Sequence, residues 1–157
     1  MNTKTMQIVT LEPMYVVSAH GFGSEPENLA WKKMEEWAKP KGLLDDPAGR
    51  RMFGYNNPSP AEGSPNYGYE FCLTVSPEEA KTILPPELAA DGLRIKELSG
   101  GKYAVTPFDE PVGPAIGAAW QRLDAWVADN GYQHGRQQWL EEHTLQGRII
   151  ALLYPIA

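Results

Sequence analysis

The alternation of apolar and polar residues predicts short strands around one helix in the first half of the chain. Residues 7–20 are rich in Val and Ile and are predicted to form strand, with a break at Pro13. Apolar residues recur with helical spacing through residues 27–39. Strands are predicted again at 51–56 and at 67–75, where alternate side chains form one apolar face: Tyr67, Tyr69, Phe71, Leu73 and Val75.

The second half of the chain repeats this order of elements. Strands are predicted at residues 93–98, 102–109, 139–143 and 148–156. Gly100-Gly101 separates the first two of these strands and is typical of a hairpin turn. A helix that begins at Pro111 or Pro114 and ends at Gly131 carries an apolar stripe: Ile116, Trp120, Leu123, Trp126 and Val127.

The repetition extends to individual residues. Segments 30–43 and 119–132 share two tryptophans, the apolar residue between them, the acid after it and a trailing glycine, all at an offset of 89 residues. Each half therefore reads strand, helix, strand, strand. We predict an α+β fold with a tandem pseudo-two-fold repeat, in which two main helices cover one face of an antiparallel sheet. The other face, or the seam between the helices, is then free to form a cleft.

The spacing of the halves also predicts the domain organisation. We expect one domain over residues 1–157, with halves at about 5–76 and 92–157. A proline-rich linker at 76–92 joins them, and Ser76 can cap a short helix that reaches Leu84.

Composition narrows the classes of partner. The net charge is −6 and no cluster of Lys or Arg is longer than a pair. A nucleic-acid partner is therefore disfavoured, because binding a phosphate backbone needs a basic face. The first strand begins within ten residues, so we expect no helix-turn-helix ahead of it and no DNA-binding regulation by this chain.

The expected cellular compartment and the expected lack of a cofactor rest on motifs that are missing from the sequence. No apolar run approaches the ~20 residues of a membrane span, and no signal-peptide pattern is present, so we expect no membrane partner. The single cysteine, Cys72, alternates within an apolar run and is expected to be buried, which fits a reducing cytoplasm. The three histidines and one cysteine show no metal-ligand spacing, and no dinucleotide or phosphate-binding fingerprint is present. We expect no cofactor and no metal.

The strand at 139–143 carries the main candidate site. Alternation places Trp139, Glu141 and His143 on one face and Leu140 and Glu142 on the other. An aromatic ring beside a carboxylate suits an amphipathic, cationic ligand, and an apolar cleft would raise the pKa of Glu141 while it is empty.

Glu141 is also asymmetric within the repeat, since the matching position in the first half, at an offset of 87 residues here, is Gly54. The alternatives are that Glu141 is an ordinary solvated residue, or that a one-residue slip in register turns Glu142 inward instead. His143 is either a satisfied histidine or a proton shuttle beside Glu141.

Further aromatic residues are candidate cleft walls, and each could equally pack in the core. Glu70, within an apolar strand, is either an edge charge or a second pocket acid. The candidate walls are Trp120, Tyr69, Phe71, Tyr103 and Tyr154.

Several of these segments resemble the GyrI-like (gyrase-inhibitor-like) family, which includes the effector-binding domains of AraC-type and MerR-type multidrug regulators. The resemblance covers nearly the whole chain. It is carried by Ser99-Gly-Gly-Lys-Tyr-Ala-Val105, the Trp120…Trp126 helix with Gly131, the strand Trp139-Leu-Glu-Glu-His143, and Leu153-Tyr-Pro-Ile156.

The resemblance implies an SHS2-like tandem fold with a cleft for amphipathic, often aromatic and cationic molecules. In the family, the last-but-one strand reads aromatic, Glu, any residue, Tyr, and its Glu points into the pocket. Glu141 takes the acidic position here, whereas Leu140 and His143 depart from the aromatic and the Tyr. Some stand-alone members hydrolyse strained cyclopropane-containing natural products with pocket aromatics and the same Glu.

Three functional hypotheses follow. The first is a stand-alone small-molecule-binding protein for sensing or sequestration, with Glu141 as the central carboxylate. The second is a hydrolase of strained electrophilic rings in which Glu141 is the general base. The third is a protein–protein inhibitor, which rests on the family name and would require a large exposed apolar patch.

Overall fold

The structure is a computed structural model that describes residues 5–45, 49–83, 85–111 and 113–157. The first half contains β1 (Gln7–Leu11), β2 (Met14–Gly23), α1 (Pro26–Ala38), β3 (Met52–Asn56) and β4 (Tyr67–Val75). Two short helices follow, α2 (Pro77–Thr82) and α3 (Pro85–Ala90). The second half contains β5 (Leu93–Leu98), β6 (Gly101–Pro107), α4 (Pro114–Asp129), β7 (Leu140–His143) and β8 (Ile149–Ile156).

All eight strands form one antiparallel sheet in the order β1-β6-β8-β7-β3-β4-β2-β5. Exchanging each strand of one half for its counterpart in the other leaves this order unchanged, apart from its direction. The predicted pseudo-two-fold repeat is therefore confirmed. The axis passes between β3 and β7, where Gly54 pairs with Glu141, the two positions that the sequence repeat made equivalent.

The sheet must be strongly curled, because two strands that follow each other directly along the chain lie far apart in the order of strands. Glu12 and Pro13 alone join β1 to β2, although five strands separate them in the order. In a flat sheet that separation would be about 29 Å, whereas so short a link spans only about 10 Å. Ser99 and Gly100 make the corresponding link between β5 and β6.

The predicted hairpin at Gly100-Gly101 is wrong. Strand β5 pairs with β2, and β6 pairs with β1 and β8, so β5 and β6 never pair with each other. Their register is continuous across both links, since Leu11 pairs with Gly101 and Met14 with Leu98. The two glycines bend one long strand opposite Pro13, and the bend brings the ends of the sheet together.

Helices α1 and α4 cover the same face of the sheet, each over its own half. Proline at the first helical position begins both, where its missing N–H costs no hydrogen bond. Helix α1 buries Ala30, Met34 and Trp37 against β2 and β4. Helix α4 buries Ala119, Leu123 and Val127 against β6 and β8.

The buried stripe of α4 differs from the predicted one. Ile116, Trp120 and Trp126 are only partly buried and flank the row of smaller residues. The two tryptophans of α4 therefore lie beside the buried row rather than within it.

The opposite face of the sheet packs against itself inside the curl. No helix covers this face in the described part of the chain, yet Val16, Phe53, Cys72, Tyr103 and Leu153 are almost completely buried there. Of the two places considered for a cleft, the centre of this face is therefore packed, and the seam between α1 and α4 is left open.

The connector contains more helix than the sequence indicated. The Ser76 hydroxyl accepts from the backbone N–H of Glu79, whose carboxylate accepts from the N–H of Ser76, so a complete capping box begins α2. Helix α3 was not predicted. Within the described residues, no helix is both long and apolar enough to cross a membrane.

Candidate ligand-binding site

A cleft of about 750 Å³ opens in the seam between α1 and α4. Its floor is the helix-covered face of β4 and β7, and α1 and α4 contribute side walls. The lining includes four of the predicted site residues, Tyr69, Phe71, Glu141 and His143, together with Glu25, Glu27, Trp31, Tyr67, Ile116 and Arg148.

The register of β7 decides which of its two acids faces the cleft. Glu141 lines the cleft, whereas Glu142 lies on the other side of the strand and accepts two hydrogen bonds of 2.9 Å from the guanidinium of Arg51. Leu140 packs inside the curl. The alternation predicted from the sequence is the one the strand adopts.

Gly54 makes room for the contact at the centre of the cleft floor. A Cβ at this position would overlap the hydroxyl end of Tyr69. With only hydrogen there, Tyr69 reaches past β3 and donates to Glu141 Oε1 over 2.5 Å. Both members of this asymmetric pair therefore contribute to the site. Glu141 supplies the acid, and Gly54 supplies the space through which Tyr69 reaches it.

The cleft holds the pKa of Glu141 above its ordinary value. Burial of the carboxyl group is the largest cause; hydrogen bonding from Tyr69 and Trp120 opposes it, and the nearby charge of Glu27 adds to it. The side chain is still partly exposed to the cleft. A carboxylate in this position gains more from a cation than it would in water.

Tyr69 links Glu141 to His143, whose Nε2 lies 3.0 Å from the tyrosine hydroxyl. Burial lowers the pKa of His143 to about 4, against a smaller opposing effect of its hydrogen bond to Gly147, so the imidazole is neutral at pH 7. Its Nδ1–H then donates to the carbonyl oxygen of Gly147 over 3.2 Å, which leaves Nε2 as an acceptor.

One tyrosine proton cannot serve both Glu141 and His143. All contacts are satisfied when Glu141 is protonated and donates to Tyr69, which donates to His143. When Glu141 ionises, Tyr69 donates to the carboxylate, and Nε2 of His143 can then bond to the tyrosine oxygen only as a donor. A neutral imidazole does this by moving its proton from Nδ1 to Nε2, which gives up the donation to Gly147. The protonation states of the two cleft residues are thus coupled through Tyr69.

Sequence reasoning missed a second acid and a tryptophan in this cleft. Glu27 accepts hydrogen bonds of 2.9 and 2.7 Å from the hydroxyl of Tyr67. Trp31 packs edge-on against Phe71, with 5.5 Å between ring centroids. Glu27 resembles any acid in the first turn of a helix, and Trp31 lies on a helical apolar stripe, so neither carried a local signal.

A smaller cleft of about 340 Å³ adjoins the first and shares Asn56 and Glu141 with it. Trp120 and Trp139, both predicted as walls, line it with ring centroids 5.2 Å apart. Trp139 lies immediately before β7 and is 36% exposed. The structure brings these two tryptophans beside Glu141, in a compartment separate from that of Phe71.

Two predicted wall residues line neither of these clefts. Tyr103 lies in the curl, on the face opposite the helices, because the register of β6 with β1 and β8 turns it inward. Tyr154 lies under α4, where its hydroxyl donates to Asp124 Oδ1 over 2.7 Å and its ring packs on Trp139. Tyr154 therefore packs against the wall residue Trp139 and does not line the cleft itself.

Glu70 is not the edge charge considered above, since β4 lies between β3 and β2. It is completely buried, and it lines a separate hollow with His20 and Arg94. Burial would raise its pKa, but hydrogen bonds from Lys96, Ser18 and Asn57, each 2.6 Å long, outweigh it and lower the pKa to about 2. This carboxylate is fully satisfied by its partners.

Metal ligation has no candidate among the residues described, since no group of three or more His, Cys, Asp or Glu side chains could hold an ion.

Solved structures share this fold at low sequence identity. A hydrolase from Listeria innocua superposes with a TM-score of 0.66 at 11% identity, over 98% of this chain and 92% of that one. The C-terminal domain of EcmrR gives 0.63 at 13% identity, over 98% of both chains. SAV2435 bound to tetraphenylphosphonium gives 0.50 at 14% identity, over 98% and 94%. At these identities the likeness establishes the fold alone.

Comparison with curated protein sequences gives no match. The family comparison gives one that spans residues 4–146, which is the whole first half of the repeat and the second half as far as β7, with most of the lining of both clefts. With its tandem fold and the open seam between its helices, the chain belongs to the GyrI-like small molecule binding domain family.

Proposed function

We propose that this protein binds amphipathic aromatic cations in the cleft between α1 and α4, for sensing or sequestration. The observation that carries the proposal is the position of Glu141, a carboxylate held by Tyr69 in a cleft walled by aromatic rings. Glu25 and Glu27 line the same space, where Arg148 is the one Lys or Arg among the described lining residues, and His143 is neutral at pH 7.

The physical argument combines three contributions. The aromatic walls remove apolar ligand surface from water. Aromatic rings such as that of Trp31 can also turn their negatively polarised faces toward a cation and attract it. A cation beside Glu141 offsets the cost of ionising a buried carboxyl group, so binding and ionisation favour each other. A neutral ligand of the same shape would gain only the first contribution.

The fold relatives support the choice of probe. SAV2435 was solved with tetraphenylphosphonium, a cation surrounded by four aromatic rings. Isothermal titration of this protein with tetraphenylphosphonium at pH 7.5 is therefore the direct test. We expect Glu141→Gln to weaken binding about tenfold or more, because the substitution keeps the shape and removes the charge.

Glu142→Gln is the matched control, since it makes the same chemical change one residue away on the other face of β7. We expect it to bind the probe like the wild type. Equal losses in the two variants, or no loss in Glu141→Gln, would contradict the proposal.

A second candidate function is hydrolysis of strained electrophilic rings. The raised pKa of Glu141 favours it, since a general base must accept a proton near the working pH. The oxygen of a water molecule would bond to a ring carbon while Glu141 takes one of the water's protons. The strained ring bond breaks, and the ring atom that keeps its electron pair then takes up a proton.

Mass spectrometry distinguishes turnover from binding. Incubation with cyclopropane-bearing electrophiles would yield a product about 18 Da heavier, the mass of one water, if Glu141 acts as a general base. Conversion by wild type and not by Glu141→Gln would establish the hydrolase. Ligand returned unchanged by both proteins would exclude hydrolysis of that class and leave the binding proposal in place.

A further inference from the structure

The two clefts meet at a single carboxylate. Of the residues that the structure describes, only Asn56 and Glu141 line both the larger cleft of about 750 Å³ and the smaller one of about 340 Å³. Glu141 accepts from Tyr69, which lines the larger cleft, and its pKa is also influenced by Trp120, which lines the smaller. The carboxylate therefore stands at the junction of two compartments, within reach of a ligand in either.

The duplication of the chain explains why there are two compartments. Trp31 in α1 and Trp120 in α4 occupy equivalent positions of the repeat, and each lines one cleft. The pseudo-two-fold axis passes between β3 and β7, beside Glu141. Each compartment therefore has a tryptophan from the same position of the repeat, one supplied by α1 and one by α4.

Both compartments present aromatic surface next to the shared acid. In the larger, Trp31 packs on Phe71 at 5.5 Å. In the smaller, Trp120 packs on Trp139 at 5.2 Å, and Trp139 is 36% exposed. Among the described residues around the smaller cleft, Glu141 is the one that carries a charge. Each compartment suits an apolar ring, and the junction suits a positive charge.

We infer that the preferred ligands have a cationic centre between two aromatic arms, with the centre at Glu141 and one arm in each cleft. This inference rests on the proposed binding of aromatic cations and adds the shape of the ligand to it. A ligand with one arm can fill only one compartment and leaves the other to water.

The test compares a one-armed probe with a two-armed probe that share the same charge. Benzyltrimethylammonium carries one ring on a quaternary nitrogen, and dibenzyldimethylammonium carries two. We expect the wild type to bind the two-armed probe about tenfold more tightly by isothermal titration, because a second ring is buried against aromatic walls.

Two variants locate the second arm. Trp139→Ala removes a wall of the smaller cleft, and Ser59→Trp fills that cleft from an exposed position in its lining. Each should bring the affinity ratio of the two probes close to one. Trp126→Ala removes a tryptophan that stacks on Tyr132 and lines neither cleft, so it should preserve the ratio of the wild type.

The outcomes separate the inference from the proposal beneath it. Equal affinity of the wild type for both probes, or a tenfold ratio that survives in both Trp139→Ala and Ser59→Trp, would overturn the two-armed ligand while aromatic-cation binding stands. Failure of the wild type to bind either probe or tetraphenylphosphonium would overturn both.

Discussion

At the scale of single residues, two buried glutamates of this protein have pKa values that are shifted in opposite directions. Glu70 is surrounded by donors, which lower its pKa to about 2. Glu141 has fewer donors and faces Glu27, so burial dominates and its pKa is raised. The difference lies in what surrounds each carboxylate, since both side chains project from the sheet. An under-satisfied acid in a cleft is suited to an incoming cation.

The raised pKa of Glu141 predicts how its removal changes stability with pH. A carboxyl group whose folded pKa is raised contributes stability below its unfolded pKa, and this contribution is lost as pH rises through the folded pKa. Glu141→Gln should therefore raise the Tm by a few degrees at pH 7 relative to wild type, and by less at pH 4. Thermal unfolding in the two buffers, with Glu142→Gln as control, measures this. A larger gain at pH 4 would show that the sign is wrong.

At the scale of elements, the site depends on how β3, β4 and β7 lie side by side. Gly54 in β3 leaves the volume that the Tyr69 hydroxyl of β4 crosses to reach Glu141 in β7. The glycine is therefore required by the two neighbouring strands rather than by its own backbone conformation.

Gly54→Ala should destabilise the protein by about 1–3 kcal/mol, because the added methyl group overpacks the cleft floor. It should also weaken tetraphenylphosphonium binding, because the displaced Tyr69 no longer holds Glu141. Chemical denaturation and titration measure the two effects.

Gly117→Ala is the matched control for this substitution. Gly117 lies in α4, and a Cβ there would meet nothing within 4 Å. The same change should stabilise the protein by about 0.5–1 kcal/mol through helix propensity. Destabilisation of similar size in both variants would refute the role given to Gly54.

At the scale of the whole molecule, the curl of the sheet depends on the two short links between its ends. Gly100 has φ +77°, and a Cβ there would run into the backbone of Leu11 and Glu12 in the partner link. Gly131, after α4, has φ +76° and open space around it. The two glycines share a backbone conformation and differ only in what lies nearby.

Gly131→Ala should cost about 1–2 kcal/mol, the strain of a left-handed conformation. Gly100→Ala should cost clearly more, because backbone atoms cannot move aside as the end of a side chain can. Denaturant midpoints of the two variants provide the comparison. Equal costs would mean that the two links do not pack closely.

The sequence by itself determined most of the helices and strands, the duplication, and the face of β7 on which Glu141 lies. Alternation and helical spacing are local properties of the chain, so β4 and β5 were predicted to the residue and Glu141 was placed on the correct face of β7. The repeat is likewise visible by comparing the chain with itself, and it makes equivalent the two positions, Gly54 and Glu141, that pair across β3 and β7.

Only the tertiary structure decided how these pieces meet. Strand order is set by contacts between distant segments, so the Gly100-Gly101 link could not be distinguished locally from a hairpin. Tyr103 faces the curl, and Trp31 and Glu27 line the cleft, because of where β6 and α1 pack. A side chain on an apolar stripe has the same local sequence pattern whether it packs in the core or lines a cavity. The curl of the sheet and the packing of the helices decide which of the two it does.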